Sequence, residues 1–343
     1  MRKLLNTLFV LSEDSYLALD GETVLVLTGD EKRGQFPLHT LESILCFSYK
    51  GASPALMGKC AQSGIHLSFF TPRGRFLARV SGENSGNVLL RKAQYRASDD
   101  EAQSCLYARS FVFGKVYNSR WSLERTRRDH ALRVDTDALT HASSALADSL
   151  PGILAETDLG ALRGLEGKAA AAYFGAFPAL FLNQRETFSF TGRSRRPPLD
   201  PTNAMLSFAY SLLANACAGA LESVGLDAYV GFLHRDRPGR ASLALDLMEE
   251  LRPVFADRFV VTLINNRVIR ANHFDFQPSG AVLLTDEGRK VFLTAWQNRL
   301  REQITHPYCK EKLPWGLVPY VQALLLARCL RGDLDAYPPF LWK

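Results

Sequence analysis

Arg75-Phe76-Leu77-Ala78-Arg79-Val80-Ser81-Gly82-Glu83-Asn84-Ser85-Gly86-Asn87-Val88-Leu89-Leu90 is the stretch in which the periodicity of the chain changes. Its Gly/Ser/Asn centre suits a loop. Upstream the pattern is that of strands. Residues 16–19 and 24–27 flank Asp20-Gly21, a dipeptide that supplies the positive φ of a tight hairpin. Further strands are predicted at 43–49, 65–70 and 75–80, with one short helix at 54–63. Downstream, apolar residues recur at intervals of three and four. That spacing predicts helices at 88–117, 120–146, 158–177, 201–224, 242–254, 279–302 and 315–330. Two irregular segments, 191–201 and 233–240, interrupt them, and a small hairpin is expected over 260–274 around Asn265-Asn266. The predicted fold class is α+β: a small N-terminal β-rich domain, residues 1–87, followed by a larger all-α C-terminal domain, residues 88–343.

The length of 343 residues agrees with two domains, each able to bury a core. A hydrophobic share of 47% excludes a mainly disordered chain, and 24 Gly with 16 Pro excludes a collagen-like one. The net charge of +6 permits a polyanionic partner without requiring one. The six cysteines are scattered with no Cys-x-x-Cys pair, which predicts reduced thiols and no zinc site. Arg2-Lys3 followed by residues 4–11 superficially matches a signal peptide, but Asn6 and Thr7 interrupt the apolar run and Glu13-Asp14 follows at once. No uninterrupted apolar run approaches the ~20 residues of a membrane span. The expectation is a soluble, cytoplasmic protein with no membrane partner.

Three features in the helical half could carry chemistry. Arg163-Gly164-Leu165-Glu166-Gly167-Lys168-Ala169-Ala170 places Glu166 on an apolar helix face, between Leu162 and Ala169. A carboxylate there must be paired with Lys or Arg at the edge of the core, or bound to a metal, because an isolated buried charge costs several kcal/mol. Gly164 and Gly167 weaken a helix, so they suggest close approach of another element or ligand. His234 lies in Gly231-Phe232-Leu233-His234-Arg235-Asp236-Arg237, at the mouth of a turn. It reads as a surface histidine or as a ligand. The His-Arg-Asp triplet matches the catalytic loop of protein kinases, but Ala241 stands where that loop needs Asn, and no glycine-rich phosphate loop accompanies it. In Ser242-Leu243-Ala244-Leu245-Asp246-Leu247-Met248-Glu249-Glu250, Ser242 is an N-cap candidate, and Asp246, Glu249 and Glu250 are neighbours at i, i+3 and i+4. They form either a solvated acidic face answered by Arg252 and the 235–240 arginines, or a set of carboxylates around a cation.

One His and two or three carboxylates, without Cys, form an oxygen-and-imidazole set suited to Mn²⁺ or Mg²⁺. Such a site leaves positions open for water and phosphate oxygens, as metal-assisted phosphodiester chemistry requires. Arginines surround these features in the sequence: Arg120, Arg125, Arg127, Arg128 and Arg133, then Arg185, Arg193, Arg195 and Arg196. They can neutralise a phosphate backbone, or they can merely pair with Glu124 and Asp129.

In this order, the Glu166 motif, the Gly-Phe-Leu-His234 run and the Asp246-Leu-Met-Glu249-Glu run resemble the signature of Cas1, the CRISPR-associated integrase. Residues 195–210, including Arg195-Arg196-Pro197-Pro198 and Asn203, also resemble a family segment. The likeness covers essentially the whole chain. The Tyr337–Lys343 terminus and the 232–237 run look most like Cas1 of type I-C systems. The resemblance implies a metal-dependent DNA endonuclease and integrase. Glu166, His234 and Glu249 would be its catalytic metal ligands, Asp246 an accessory carboxylate, and Mn²⁺ or Mg²⁺ the cofactor; Glu250 is the rival of Glu249 for the metal-facing position. Arg193, Arg195, Arg196, Arg235 and Arg237 are the expected DNA contacts. The reaction implied is attack of a prespacer 3′-hydroxyl on a CRISPR repeat boundary by direct transesterification. Because His234 ligates only when neutral, activity should fall as the pH drops. The implied partners are DNA (prespacer and repeat), a second copy joined through the β domain, Cas2 in a heterohexamer, and Cas4 in some systems. The rival functions are a stand-alone metal-dependent nuclease and a non-catalytic DNA-binding scaffold whose carboxylates only pair with arginines.

Overall fold

The structure, a computed structural model, describes residues 6–72, 74–82 and 88–343. Arg2-Lys3 and the boundary expected at residue 87 lie outside the described residues. Two compact units divide the chain: Met1–Ser85 with Leu284–Arg301, and Gly86–Leu283 with Glu302–Lys343.

The first unit carries most of the strands. In order they are β1 (Asn6–Val10), β2 (Ser15–Asp20), β3 (Thr23–Thr28), β4 (Glu31–Pro37), β5 (Leu41–Cys46), then helix α1 (Pro54–Gln62), β6 (His66–Phe70) and β7 (Phe76–Arg79). The hairpin read from Asp20-Gly21 joins β2 to β3, with Leu17 opposite Val26 and Gly21 at a φ of 55°. β4 extends this antiparallel sheet. β4 carries no strand signal, because its charged start, Glu31-Lys32-Arg33, is exposed and shows no alternation. The second sheet has the order β1-β5-β6-β7, parallel through β6, and α1 makes the crossover between β5 and β6. Leu17, Val24, Ile44, Leu56, Cys60 and Leu67 meet in its core.

The second unit is mainly helical. It starts with α2 (Val88–Asp99), α3 (Glu101–Asp129), α4 (Thr136–Ala155), α5 (Leu159–Ala176) and α6 (Pro201–Ser223), and continues with α7 (Ser242–Glu249) and α8 (Arg258–Asn265). β8 (Phe274–Phe276) and β9 (Val282–Leu284) precede α9 (Asp286–Arg301), the helix that groups with the first unit; β10 (Gln303–Thr305), β11 (Lys312–Pro314) and α10 (Val318–Leu330) follow. Four aspartates set helix starts. Asp100, Asp135, Asp158 and Asp200 each accept backbone N–H bonds in the first turn of α3, α4, α5 and α6. Asp100 is also why the helix expected over 88–117 is broken there, and why α3 then runs unbroken to Asp129.

Several expectations need correction. The hairpin expected around Asn265-Asn266 is helix α8, since Phe259, Val260, Val261, Leu263 and Ile264 form one buried helical face. The helix expected over 242–254 leaves α geometry after Glu249. Arg252–Asp257 winds as a π-helical turn with Pro253 near its start, a local widening that re-aims side chains. Ser242 is the first helical residue and not the cap; Ala241 occupies that position, and Ser242 Oγ donates to the Arg235 carbonyl at 3.2 Å. Two short hairpins, β8-β9 and β10-β11, interrupt the all-α expectation. α6 is long and apolar enough to cross a membrane by length and composition, but 67% of its apolar window is buried inside the protein, as in a core helix. All six cysteines are free.

The C-terminal run 337–343 is irregular and is tied down by buried polar groups. Asn118 of α3 donates to the Glu250 carbonyl and the Phe340 carbonyl, both at 2.7 Å, and accepts from Trp342 N at 2.9 Å. Glu250 accepts from Phe340 N at 2.7 Å and from Gln322 Nε2 at 2.8 Å, and Tyr337 donates to it as well. One asparagine and one glutamate therefore join α3, the end of α7, α10 and the terminus.

Candidate metal centre

Gly231 opens the loop that carries His234, and this glycine is required by packing. A side chain there would begin 2.8 Å from Ser242 Cβ and 2.9 Å from Asp246 Oδ2. The resulting close approach aims three successive amides at one buried carboxylate. Phe232 N (2.6 Å) and Leu233 N (2.9 Å) donate to Asp246 Oδ2, and His234 N donates to Oδ1 at 3.0 Å. His234 Nδ1 lies 2.6 Å from the same Oδ1. An ionised carboxylate only accepts, so Nδ1 carries a proton, and in a neutral ring this leaves the lone pair on Nε2. Nε2 faces Glu249, 4.0 Å from its Oε1. Asp246 therefore orients the histidine and does not itself face the cleft.

Glu249 and Glu250 diverge from adjacent positions. Glu250 turns toward the tail, as described above, and burial pushes its carboxyl up to about 7 despite bonds from Tyr337, Gln322 and Phe340 N. Glu249 turns the other way. Its Oε1 is 3.1 Å from Arg252 Nη2 and its Oε2 is 2.7 Å from Lys115 Nζ. Burial would raise this carboxyl as well, but the charges of Arg252 and Lys115 outweigh it and hold Glu249 ionised, below the usual carboxylate range. The solvated acidic face considered from sequence is not found: Asp246, Glu249 and Glu250 are all buried.

Glu166, half-buried on α5, completes the group. Its Oε1 accepts from Lys115 Nζ, the lysine pairing that the sequence left open. Gly164 and Gly167, expected to admit a close neighbour, have no neighbouring protein group within 4 Å of where a side chain would begin. The tight approaches are at Gly231 and at Gly114. A Cβ on Gly114 would sit 2.8 Å from Glu250 Cβ, so its absence lets α3 lie against the end of α7 and brings Lys115 to Glu249.

Among the described residues, no three His, Cys, Asp or Glu side chains already stand together as a metal cage. The donors nevertheless fit a hard divalent cation. Glu166 and Glu249 converge on a single positive charge, the Lys115 ammonium, and the Nε2 atom of His234 faces Glu249.

These groups line a cleft of about 820 Å³ whose other walls carry Arg163, Arg193, Arg195, Arg235, Arg237 and Arg240. Arg163 Nε donates to the Leu233 carbonyl at 2.9 Å, tying α5 to the histidine loop. Arg193 lies over the Tyr210 and Phe174 rings and donates to Asn203. Arg196 is exposed beside Arg195 but does not line the cleft. Arg125, Arg127 and Arg128 pair with Glu124 or Asp129 on α3, so that cluster solvates its helix. Arg133 and Arg185 are occupied with backbone carbonyls. Sequence reasoning missed two cleft residues, Lys115 and Asp257. Asp257 sits on the π-helical turn and accepts from Tyr210 at 2.5 Å. Burial pushes its carboxyl up to about 6 against that bond and the Arg193 and Arg252 charges.

Asp246→Asn puts an amide where His234 needs an acceptor and so favours the wrong tautomer. Mn²⁺ affinity, followed by loss of the free-ion resonance signal, is expected to fall about 10- to 100-fold; unchanged affinity would contradict the orienting role. For Asp257, the folded carboxyl binds its proton more tightly than the unfolded one, so its contribution to stability is complete below about pH 4 and is lost as the pH rises through about 6. Between those values, the stability of the wild type relative to Asp257→Asn should fall by on the order of 2 kcal/mol in denaturant titrations. A constant difference would show that Asp257 is already ionised at low pH.

Residues 8–298 match the family model described as CRISPR associated protein Cas1. The chain is 51% identical to a CRISPR-associated endonuclease Cas1 of Rhodospirillum rubrum and 47% identical to one of Chlorobaculum tepidum, each over the full length of both chains. It is 33% identical over 98% of its length to a Cas4 exonuclease/Cas1 endonuclease fusion of Geobacter sulfurreducens, covering 60% of that protein. Two solved structures share the fold at 23% identity. A casposase bound to integration product gives a TM-score of 0.84, with 99% of this chain and 95% of that one covered. A Cas6-RT-Cas1–Cas2 complex gives 0.80, with 99% and 36% covered.

Proposed function

We propose a function from one premise: the chain belongs to the Cas1 family. It is a CRISPR adaptation integrase, a DNA endonuclease that joins the 3′-hydroxyl ends of a prespacer to the CRISPR repeat. The observation that carries this reading is the convergence of Glu166 and Glu249 on one cation position beside the oriented Nε2 of His234, inside an arginine-rimmed cleft.

Glu166, Glu249 and His234 Nε2 are the residues that would hold Mn²⁺ or Mg²⁺. When bound, the ion supplies Lewis acidity at a DNA phosphate and lowers the pKa of the attacking hydroxyl. The rest of the task falls to the chain's own groups. Asp246 keeps the proton on Nδ1, so that Nε2 remains a donor of electrons. Arg252 fixes Glu249 from the side opposite Lys115. Arg193, Arg195, Arg235 and Arg237 line the cleft and would receive the phosphate backbone, with Arg196 at its margin, in contacts that weaken as salt rises. One phosphodiester is exchanged for another, so the reaction needs neither ATP nor a covalent enzyme intermediate. Water in place of the 3′-hydroxyl gives endonuclease cleavage by the same groups.

The partners follow from the family. Cas2 is supported by the solved Cas1–Cas2 complex of similar fold, and Cas4 by the relatives in which Cas4 and Cas1 are fused. The assembly we propose is a homodimer joined through the β-rich unit, two such dimers flanking a Cas2 dimer. Assignment to type I-C rests on the resemblance of the 337–343 terminus and the 232–237 run alone.

A half-site integration assay tests the function, using labelled prespacer DNA, a repeat-bearing plasmid and purified Cas2. The wild type should join the label to the plasmid. Glu166→Ala should abolish joining by at least about 100-fold while DNA binding in chelator remains within about 2-fold. Products that are shortened and never joined would favour a stand-alone nuclease. Joining that survives alanine at Glu166, His234 and Glu249 together would overturn the metal site and favour the scaffold reading.

A further inference from the structure

Lys115 is the one member of the cleft whose position cannot coexist with the proposed site in use. Its ammonium donates to Glu166 Oε1 and lies 2.7 Å from Glu249 Oε2, and its side chain is only 11% exposed. It arrives there by construction. The missing side chain of Gly114 lets α3 pack on Glu250, and the next residue then reaches the neighbouring Glu249. A protonated lysine has three donors and no lone pair, so it cannot become a metal ligand. It occupies the carboxylate oxygens that a divalent cation would need.

We propose that Lys115 is a built-in counter-cation. It neutralises Glu166 and Glu249 when no metal is bound, and it must be displaced for the ion to enter. This inference rests on the metal reading of Glu166, Glu249 and His234, and assigns a positioning role to a residue outside that ligand set. Without it, two carboxylates would face each other across a partly buried cleft with only Arg252 and the His234 ring beside one of them; like charges so placed repel. With it, the two carboxylates are electrostatically satisfied and metal binding becomes an exchange of one cation for another. The flexible four-carbon stem gives the displaced ammonium room to swing into the cleft lined by Arg163 and Arg193, on the side where a DNA phosphate would lie. Two ligands that compete for one site lower each other's apparent affinity reciprocally.

The test is Mn²⁺ titration of the full chain, read by the free-ion resonance signal, together with thermal unfolding in EDTA and in saturating Mn²⁺. Lys115→Met keeps the length and removes the charge. Its Mn²⁺ affinity should rise roughly 5- to 100-fold over the wild type, its melting temperature in EDTA should drop, and the gain in melting temperature on adding Mn²⁺ should exceed that of the wild type. Lys115→Arg, which keeps the charge, should stay close to the wild type in all three measurements and serves if the methionine variant does not fold. In that case, Arg variant affinity more than tenfold tighter than wild type would overturn the proposal. Unchanged or weaker Mn²⁺ binding by Lys115→Met would also overturn it, showing that Lys115 only braces the carboxylates, while the metal reading would stand. Absence of Mn²⁺ binding by both wild type and variant would overturn the two together.

Discussion

Three carboxylates within two turns of one helix, Asp246, Glu249 and Glu250, are all buried, and everything around the cleft is arranged to make that tolerable. Each is satisfied by a different means. Asp246 collects three backbone amides and an imidazole N–H. Glu249 is held between Lys115 and Arg252. Glu250 takes neutral donors from the tail and α10, which offset only part of the burial that raises its proton affinity. One turn of helix therefore holds an orienting group, a charged group and a structural group.

The supporting elements follow from these demands. The C-terminal run supplies two of the three donors to Glu250, from Tyr337 and Phe340 N, beside Gln322 of α10. Gly114 and Gly231 are required because α3 and the histidine loop must approach α7 more closely than any side chain permits. The π-helical turn after α7 lets Arg252 return to Glu249 while Asp257, five residues later, meets Tyr210 on the same side of the cleft. Stability and chemistry are coupled here: the tail that satisfies Glu250 also fixes the helix end on which Glu249 stands.

Much of the architecture was legible in the sequence. Asp20-Gly21 marked the hairpin, the Gly82–Gly86 stretch marked the change of periodicity, and apolar spacing marked the helices near 158–177 and 201–224, while the starts at 101 and 136, set by Asp100 and Asp135, went unread. What was hidden depends on three-dimensional context. The polar edge strand β4 has no buried face to impose alternation. Helix α8 was mistaken for a hairpin because β-branched residues and an Asn-Asn pair imitate strand and turn, whereas packing on five apolar side chains selects the helix. Glu166, His234 and Asp246-x-x-Glu249 were visible as a set through family resemblance. Helical spacing left Glu249 and Glu250 equivalent, and only the position of the tail separates them. Lys115 carries no local signal, since a single lysine beside an apolar stripe acquires meaning only when the facing helices are known.

In the proposed site Glu166, Glu249 and His234 share one divalent cation at the place held by Lys115. Anomalous diffraction from crystals of the full chain soaked in Mn²⁺ locates that ion. One strong peak is expected within bonding distance of both glutamates and of His234 Nε2, with the Lys115 ammonium moved away from it. A peak bound instead to Asp246 or Glu250, or Mn²⁺ seated while Lys115 still bridges Glu166 and Glu249, would contradict it.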